Sequence, residues 1–204
     1  MKTYMKWPLL SALGLALILA AGCAAGNAIK LKYALISTDT PCAGEITVFR
    51  FEDKRPASAL GKTTDNETIT SLSDVAEWVG WALFDELESA GCKPKYRTAI
   101  TAPDDELVVT GQVLDLTLNQ TGVTTYKGRV SVRIEVSRGG TTLHAEKYTS
   151  EVEDVVVPGY SSEADILAEA LRGVMYEAIP AIAEAAGKQS GRPSARSAGP
   201  FSPI

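Results

Sequence analysis

Residues 127–137 alternate strictly: Val130, Val132, Ile134 and Val136 are apolar, while Arg129, Ser131, Arg133 and Glu135 are polar. That is the period of a strand with one wet face. Arg138-Gly139-Gly140-Thr141 reads as a hairpin turn, and residues 141–153 return as its partner strand. Residues 106–118 form a long strand with a change of phase. Leu107, Val109, Gly111 and Val113 share one parity, and Leu114, Leu116 and Leu118 the other. Such a shift predicts a bulge, or a far end that buries its other face. Upstream, Ile29, Leu31, Tyr33 and Leu35 alternate with Lys30, Lys32 and Ala34, as in a half-buried strand whose lysines guard an edge. Residues 45–52 carry Ile46, Val48, Phe49 and Phe51 on both faces and predict a buried strand that stops before Pro56. Residues 56–70 read as a polar loop, and 92–105 as a loop with a short strand around 96–100.

Two stretches follow the helical period instead. Ser71-Leu72-Ser73-Asp74 resembles a capping box, followed by an apolar stripe through Leu72, Val75, Val79, Ala82, Leu83, Leu87 and Ala90, with Gly91 as the terminator. Trp78, Trp81 and Phe84 lie off this stripe, with Trp81 among Asp74, Glu77, Asp85 and Glu88. Aromatics on a polar face need cover, either from the loop at 56–70 or the N-terminal strand, or from a partner or lipid surface. The second helix starts at Ser162-Glu163-Ala164-Asp165 and buries Ile166, Leu167, Ala170, Leu171, Val174, Ala178 and Ile182, with Pro180 expected to kink or end it. The order β-β-α-β-β-β-α predicts an α+β domain. Its sheet is mixed and largely antiparallel, of four to five strands, with two helices packed on one face. Strand 45–52, the first helix and strand 106–118 would form a right-handed crossover.

The start of the chain changes the picture from fold to location. Lys2 and Lys6 precede an apolar run from Pro8 to Ala21 that is short for a bilayer crossing, and Ala20-Ala21-Gly22 leads into Cys23. This reads as a signal peptide over residues 1–22 whose end has the form of a lipoprotein cleavage box. A diacylglyceryl group on the Cys23 thiol and acylation of its freed amine would anchor residues 23–186 as one domain. Two or three acyl chains hold firmly where one does not. The alternative is an ordinary secretory signal that leaves Cys23 a free thiol. Ala24 follows the cysteine, which favours the outer membrane with the domain facing the periplasm. The tail at 187–204, rich in Gly, Ser, Pro and Arg, is expected to be disordered.

Loss of residues 1–22 removes two lysines and no acid, leaving eighteen basic and twenty-five acidic side chains. An acidic chain without a basic cluster argues against nucleic acid. The remaining cysteines, Cys42 and Cys92, lie before a predicted strand and after the helix that follows it. A helix returning antiparallel to its strand brings those two ends together, and an envelope compartment permits a disulfide. The alternative is two separate buried thiols.

Several segments together resemble the YajG-like family of bacterial outer-membrane lipoproteins. They are the lipid-box cysteine followed by the I-x-L-x-Y of Ile29 to Tyr33, and the strand ending in the D-x-R of Asp53 and Arg55. The others are the D-V-A-E-W-V of Asp74 to Val79 with its E-L-E-S-A-G ending, the G-Q-V-L-D-L of Gly111 to Leu116, and Ile179-Pro180 late in the last helix. The resemblance spans roughly residues 20–182 and implies an α/β-type envelope lipoprotein without an assigned reaction. The element order is also similar to that of auxiliary lipoproteins of ABC-type envelope transporters.

Candidate chemistry is sparse. His144, the sole histidine, falls on the outward parity of 141–153, with no nucleophile or acid spaced to act with it. Asp104-Asp105-Glu106 reads as a solvated turn rather than a cation site, and one histidine with two distant cysteines lacks metal-ligand spacing. Asp53 and Arg55, two apart on an extended segment, can pair across the strand exit. No catalytic residue, metal or cofactor is therefore assigned, and the chain is read as non-enzymatic. The leading expectation is a periplasmic binding or assembly accessory that meets an envelope protein through Trp78, Trp81 and Phe84, and through an open sheet face carrying Arg129, Arg133, His144 and Tyr148. The alternative is a lipid-binding auxiliary of an envelope transport system, holding an acyl chain in a groove between helix and sheet.

Overall fold

A computed structural model describes residues 27–36, 40–98 and 105–187. The expected signal peptide, Cys23, Asp104 and the tail from 188 lie outside the described residues. The main sheet has six strands: β2 (Glu45–Phe49), β3 (Glu52–Asp53), β6 (Lys93–Arg97), β7 (Leu107–Gln120), β8 (Thr125–Arg138) and β9 (Thr141–Val155). Its order is β6-β2-β7-β8-β9, with β3 continuing alongside β7. β2 runs parallel to both β6 and β7, whereas β7, β8 and β9 are antiparallel. A second, three-stranded sheet holds β1 (Asn27–Ile29), β5 (Thr68–Ser71) and β4 (Gly61–Lys62) in that order. The architecture is α+β as expected, with more strands than the four to five read from the sequence.

The alternation of β8 dictates where the core lies. Tyr96, Val48, Val109 and Val136 stand in one register row across β6, β2, β7 and β8. Against that face pack helix α1 (Val75–Ser89) and helix α2 (Glu163–Gly187), whose buried residues join one hydrophobic cluster with the sheet. Between the helices and the sheet, Val130, Val132, Ile134, Leu167, Leu171 and Val174 are all buried. The phase change in β7 is a bulge. Register slips between Val113 and Asp115, so Leu116 and Leu118 return to the face already used by Val109 and Val113.

Several local expectations are corrected. The strand read over residues 29–35 is regular only at β1; residues 30–36 instead cross the seam between the helices. There Leu31 and Tyr33 go inward, Lys32 Nζ meets Asp165 Oδ1 at 2.8 Å and the Leu31 amide donates to Ser73 Oγ at 3.1 Å. The polar loop at 56–70 contains β4 and β5, because two isolated apolar residues, Leu60 and Ile69, are each fully buried. The cap of α1 is Asp74, whose carboxylate accepts from the Glu77 amide at 2.9 Å; Leu72 lies outside the helix and is exposed. Pro180 neither ends α2 nor prevents seven further residues of helix. It sits on the solvent side, as does Tyr176, whose freed carbonyl water can satisfy.

Cys42 and Cys92 form a disulfide with their Cα atoms 4.9 Å apart. The reason is the topology: the Cys42 amide donates to the Ala90 carbonyl at 2.8 Å, and Lys93 to that of Gly44 at 2.9 Å, where α1 ends and β6 begins. Gly91, at φ +94°, makes the left-handed step that lets the chain leave the helix there.

Candidate binding surfaces

An aromatic ledge forms where α1 crosses β6. Gly80 presents bare backbone to Tyr96; a Cβ at that position would lie 3.2 Å from the Tyr96 hydroxyl oxygen. The tyrosine ring passes over the helix and Trp81 stacks on it, with centroids 4.6 Å apart and planes 13° apart. Phe84 meets the indole edge-on at 5.3 Å. The cover for Trp81 is thus β6, not the 56–70 segment or the N-terminal strand. Trp81 remains 42% exposed and Phe84 half-buried, but Trp78 is only 9% exposed and belongs to the core. Of the three expected contact residues, the structure leaves two at the surface.

The second surface is an open cleft of about 940 Å³ beside the carboxyl end of β2, where Arg50 and Phe51 interrupt the strand before β3. Crevices at such strand ends are common ligand positions in sheets with parallel neighbours. Its walls include Arg50, Asp53, Arg55, Asp74, Gln112 and Arg133. Arg50 pairs with the capping Asp74. Arg55 grips Asp53 by two bonds, Nε to Oδ1 at 3.0 Å and Nη2 to Oδ2 at 2.8 Å, as their spacing anticipated. Those bonds hold the Asp53 carboxyl below the usual carboxylate range. The Arg55 side chain is 7% exposed and its Nη1 has no acceptor. The cleft thus holds paired charges in fixed positions.

The single open face expected to carry Arg129, Arg133, His144 and Tyr148 does not exist. Cross-strand partners share a face, and Tyr148 stands opposite Val132 and His144 opposite Val136, on the helix side. Register slips between Val136 and Ser137, so Leu143 is the extra residue that puts His144 on this side. His144 Nε2 lies 2.7 Å from the Tyr148 hydroxyl, and burial together with Glu146 pushes that hydroxyl up to about 12. Arg129 and Arg133 point away from the helices; Arg129 pairs with Asp115 and Glu151.

Sequence reasoning missed Glu86. It is fully buried, and its Oε1 accepts from the Tyr33 hydroxyl at 2.8 Å and from the Ile36 amide at 2.7 Å. The available signal was an acid between Leu83 and Leu87 on the apolar stripe. Glu86 latches the segment that follows β1 onto α1. Burial first, and the Glu86 carboxylate second, push the Tyr33 hydroxyl well above the ordinary tyrosine range. A raised tyrosine favours folding below about pH 10, and that contribution is lost as pH climbs further, because the unfolded chain ionises first. In urea melts between pH 9 and 11.5, the wild-type midpoint should fall more steeply than that of Tyr33→Phe; parallel curves would refute the assignment.

Among the described residues, no group of three or more His, Cys, Asp or Glu side chains comes together as a metal site. Glu106, from the acidic run at 104–106, is bound to Thr47 at 2.8 Å and Arg97 at 3.1 Å. No helix among these residues is long and apolar enough to cross a membrane.

No family model matches the chain, and no curated protein matches it in sequence. Among solved structures, its α+β fold is similar to that of protein XCC0632 from Xanthomonas campestris, of family DUF330. The TM-score is 0.59 at 9% identity, covering 81% of this chain and 99% of that one. The hypothetical protein CT253 from Chlamydia trachomatis matches at TM-score 0.47 and 11% identity, over 71% and 98% of the two chains. Lipoprotein GNA1162 from Neisseria meningitidis matches at 0.39 and 13%, over 67% and 98%. At 9% identity, the likeness to XCC0632 is one of fold alone.

Proposed function

We propose that this chain is a YajG-like, non-enzymatic envelope lipoprotein. Acylated Cys23 anchors it to the outer membrane, and it serves from the periplasmic side as a binding or assembly accessory. The observation that carries this reading is the join between leader and domain. Cys23 ends a small-residue cleavage box, and β1, already paired to β5, begins four residues later at Asn27. Such a short stem suits an anchored module. The disulfide fits an oxidising compartment.

The contact for a protein partner is the ledge of Trp81 and Phe84. An exposed indole already fixed by stacking loses little conformational freedom on binding. Mass spectrometry of the amino-terminal peptide should find a diacylglyceryl cysteine at Cys23, and globomycin should make the precursor accumulate. A mature terminus elsewhere would refute the anchor. For the ledge, a photo-crosslinking amino acid at Phe84 should capture one envelope protein in living cells. Trp81→Ala should abolish that capture while costing no more than about 2 kcal/mol of stability. Undiminished capture in the Trp81→Ala protein would refute the contact.

A further inference from the structure

We propose that the end of the domain from which Asn27 emerges lies against a lipid bilayer of predominantly zwitterionic headgroups, with Val123 and Tyr160 set among them. The inference rests on the reading that Cys23 is acylated. Four residue steps separate Cys23 from Asn27, and an extended chain of that length reaches about 14 Å at most. An acyl group in the membrane therefore holds Asn27 within that distance of the interface, and the surface around Asn27 faces lipid.

That surface is built from three connections. Asn27, Ala28 and Ile29 border a small hollow with Thr63, Tyr126 and Glu163, which places β1 beside the start of β8 and of α2. Lys62 and Thr64, around β4, donate backbone N–H groups to the side chains of Asn119 and Gln120 at the end of β7, each at 3.2 Å. The β7–β8 turn and the β9–α2 loop are joined by the Val156 amide donating to the Thr124 carbonyl at 2.8 Å. All three meet at the end opposite the β8–β9 hairpin tip.

The same two connections carry Val123 and Tyr160, each 92% exposed, with Val155 and Val157 exposed beside them. Half of the eight exposed large apolar side chains among the described residues thus cluster beside the emerging chain. The loop holding Tyr160 is fixed, since its amide donates to the Val157 carbonyl at 2.9 Å and the Val157 amide donates to Ser161 Oγ at 2.9 Å. Tyrosine is suited to the headgroup layer, with an apolar ring and a hydroxyl that stays hydrated. The charges around this end are Lys62, Asp65, Glu67, Lys127, Glu153, Asp154 and Glu163, an acidic balance. That balance disfavours an anionic leaflet and leaves the two apolar tips too weak to bind without the anchor.

The test uses the mature acylated protein reconstituted into vesicles of phosphatidylcholine and phosphatidylethanolamine. A nitroxide is attached in turn at Val123→Cys, Tyr160→Cys and Thr141→Cys, the last at the hairpin tip, with the native disulfide intact. On reconstitution, collision with a water-soluble nickel chelate should fall several-fold at 123 and 160, collision with oxygen should rise there, and 141 should not change. Labels at 123 and 160 that stay as open to nickel as 141, on protein whose mass shows acylated Cys23, overturn the orientation and leave the anchor standing. A mass without acyl chains overturns both.

Discussion

Gly111→Ala should cost about 2–3 kcal/mol, and Gly111→Val should leave the domain largely unfolded. A Cβ at Gly111 would lie 2.2 Å from Phe51 Cε2 and 2.3 Å from its Cζ. Phe51 is buried in the core where β2 breaks before β3, so a methyl at 111 must displace its packed ring. Glycine within a strand is ordinarily a weakness, but here the phenyl ring occupies the space that a side chain at 111 would fill. The cost is therefore steric and depends on Phe51. Phe51→Ala alone should cost about 3–5 kcal/mol through the cavity it leaves. Adding Gly111→Ala to it should cost much less than in the wild type, since contacting residues couple. Urea melts of the four proteins give the coupling. A Gly111→Ala midpoint equal to wild type, or strict additivity in the double mutant, would contradict the packing described.

β7 and β8 were legible because they are long and each buries one face. β8 reveals its inward residues in every second position, and Leu114 marks the bulge in β7 by shifting the apolar parity. The disulfide was legible because a helix that returns to the start of its own strand has little choice over where its ends meet. What escaped reading were elements whose signal is a single residue. β4 and β5 each have one neighbouring or internal apolar side chain, Leu60 and Ile69, so no period can form. In β9, Tyr148 and Val152 lie opposite the inward positions of β8, too few apolar residues to show that the slip at Leu143 fixes the parity. Residues 30–36 alternate like a strand, but the alternation serves a helix seam, where Leu31 and Tyr33 find the same one-sided burial a sheet would offer.

The candidate surfaces were harder still. Trp78 and Trp81 look alike on a helical wheel, but Trp78 is buried in the core whereas Trp81 stays exposed and stacks on Tyr96, over twelve residues away. Glu86 was hidden because an acid on an apolar stripe reads as a flaw in the stripe until its donors, Tyr33 and the Ile36 amide, arrive from fifty residues upstream.

Replacing both Cys42 and Cys92 with serine should cost about 4 kcal/mol, the chain-entropy value for a loop of this length. The bridge spans a sequence separation of 50 residues, and that segment holds β2 to β5 and all of α1. In the unfolded chain the link removes freedom from about a third of the domain. In the folded one, the Cys42 amide and the Lys93 amide already bond across the same junction, so loss of the bridge should leave the native geometry unchanged. With a urea slope of about 2 kcal/mol/M, the midpoint should drop by about 2 M while near-ultraviolet dichroism away from the cysteines is preserved. Reduced wild-type protein should unfold at the same midpoint as the double serine variant, because both lack only the link. If neither differs from the oxidised protein, the two thiols do not bridge. The same difference makes stability depend on compartment. Protein made and kept under reducing conditions should show the lower midpoint, and oxidation that closes the bridge should restore the full increment.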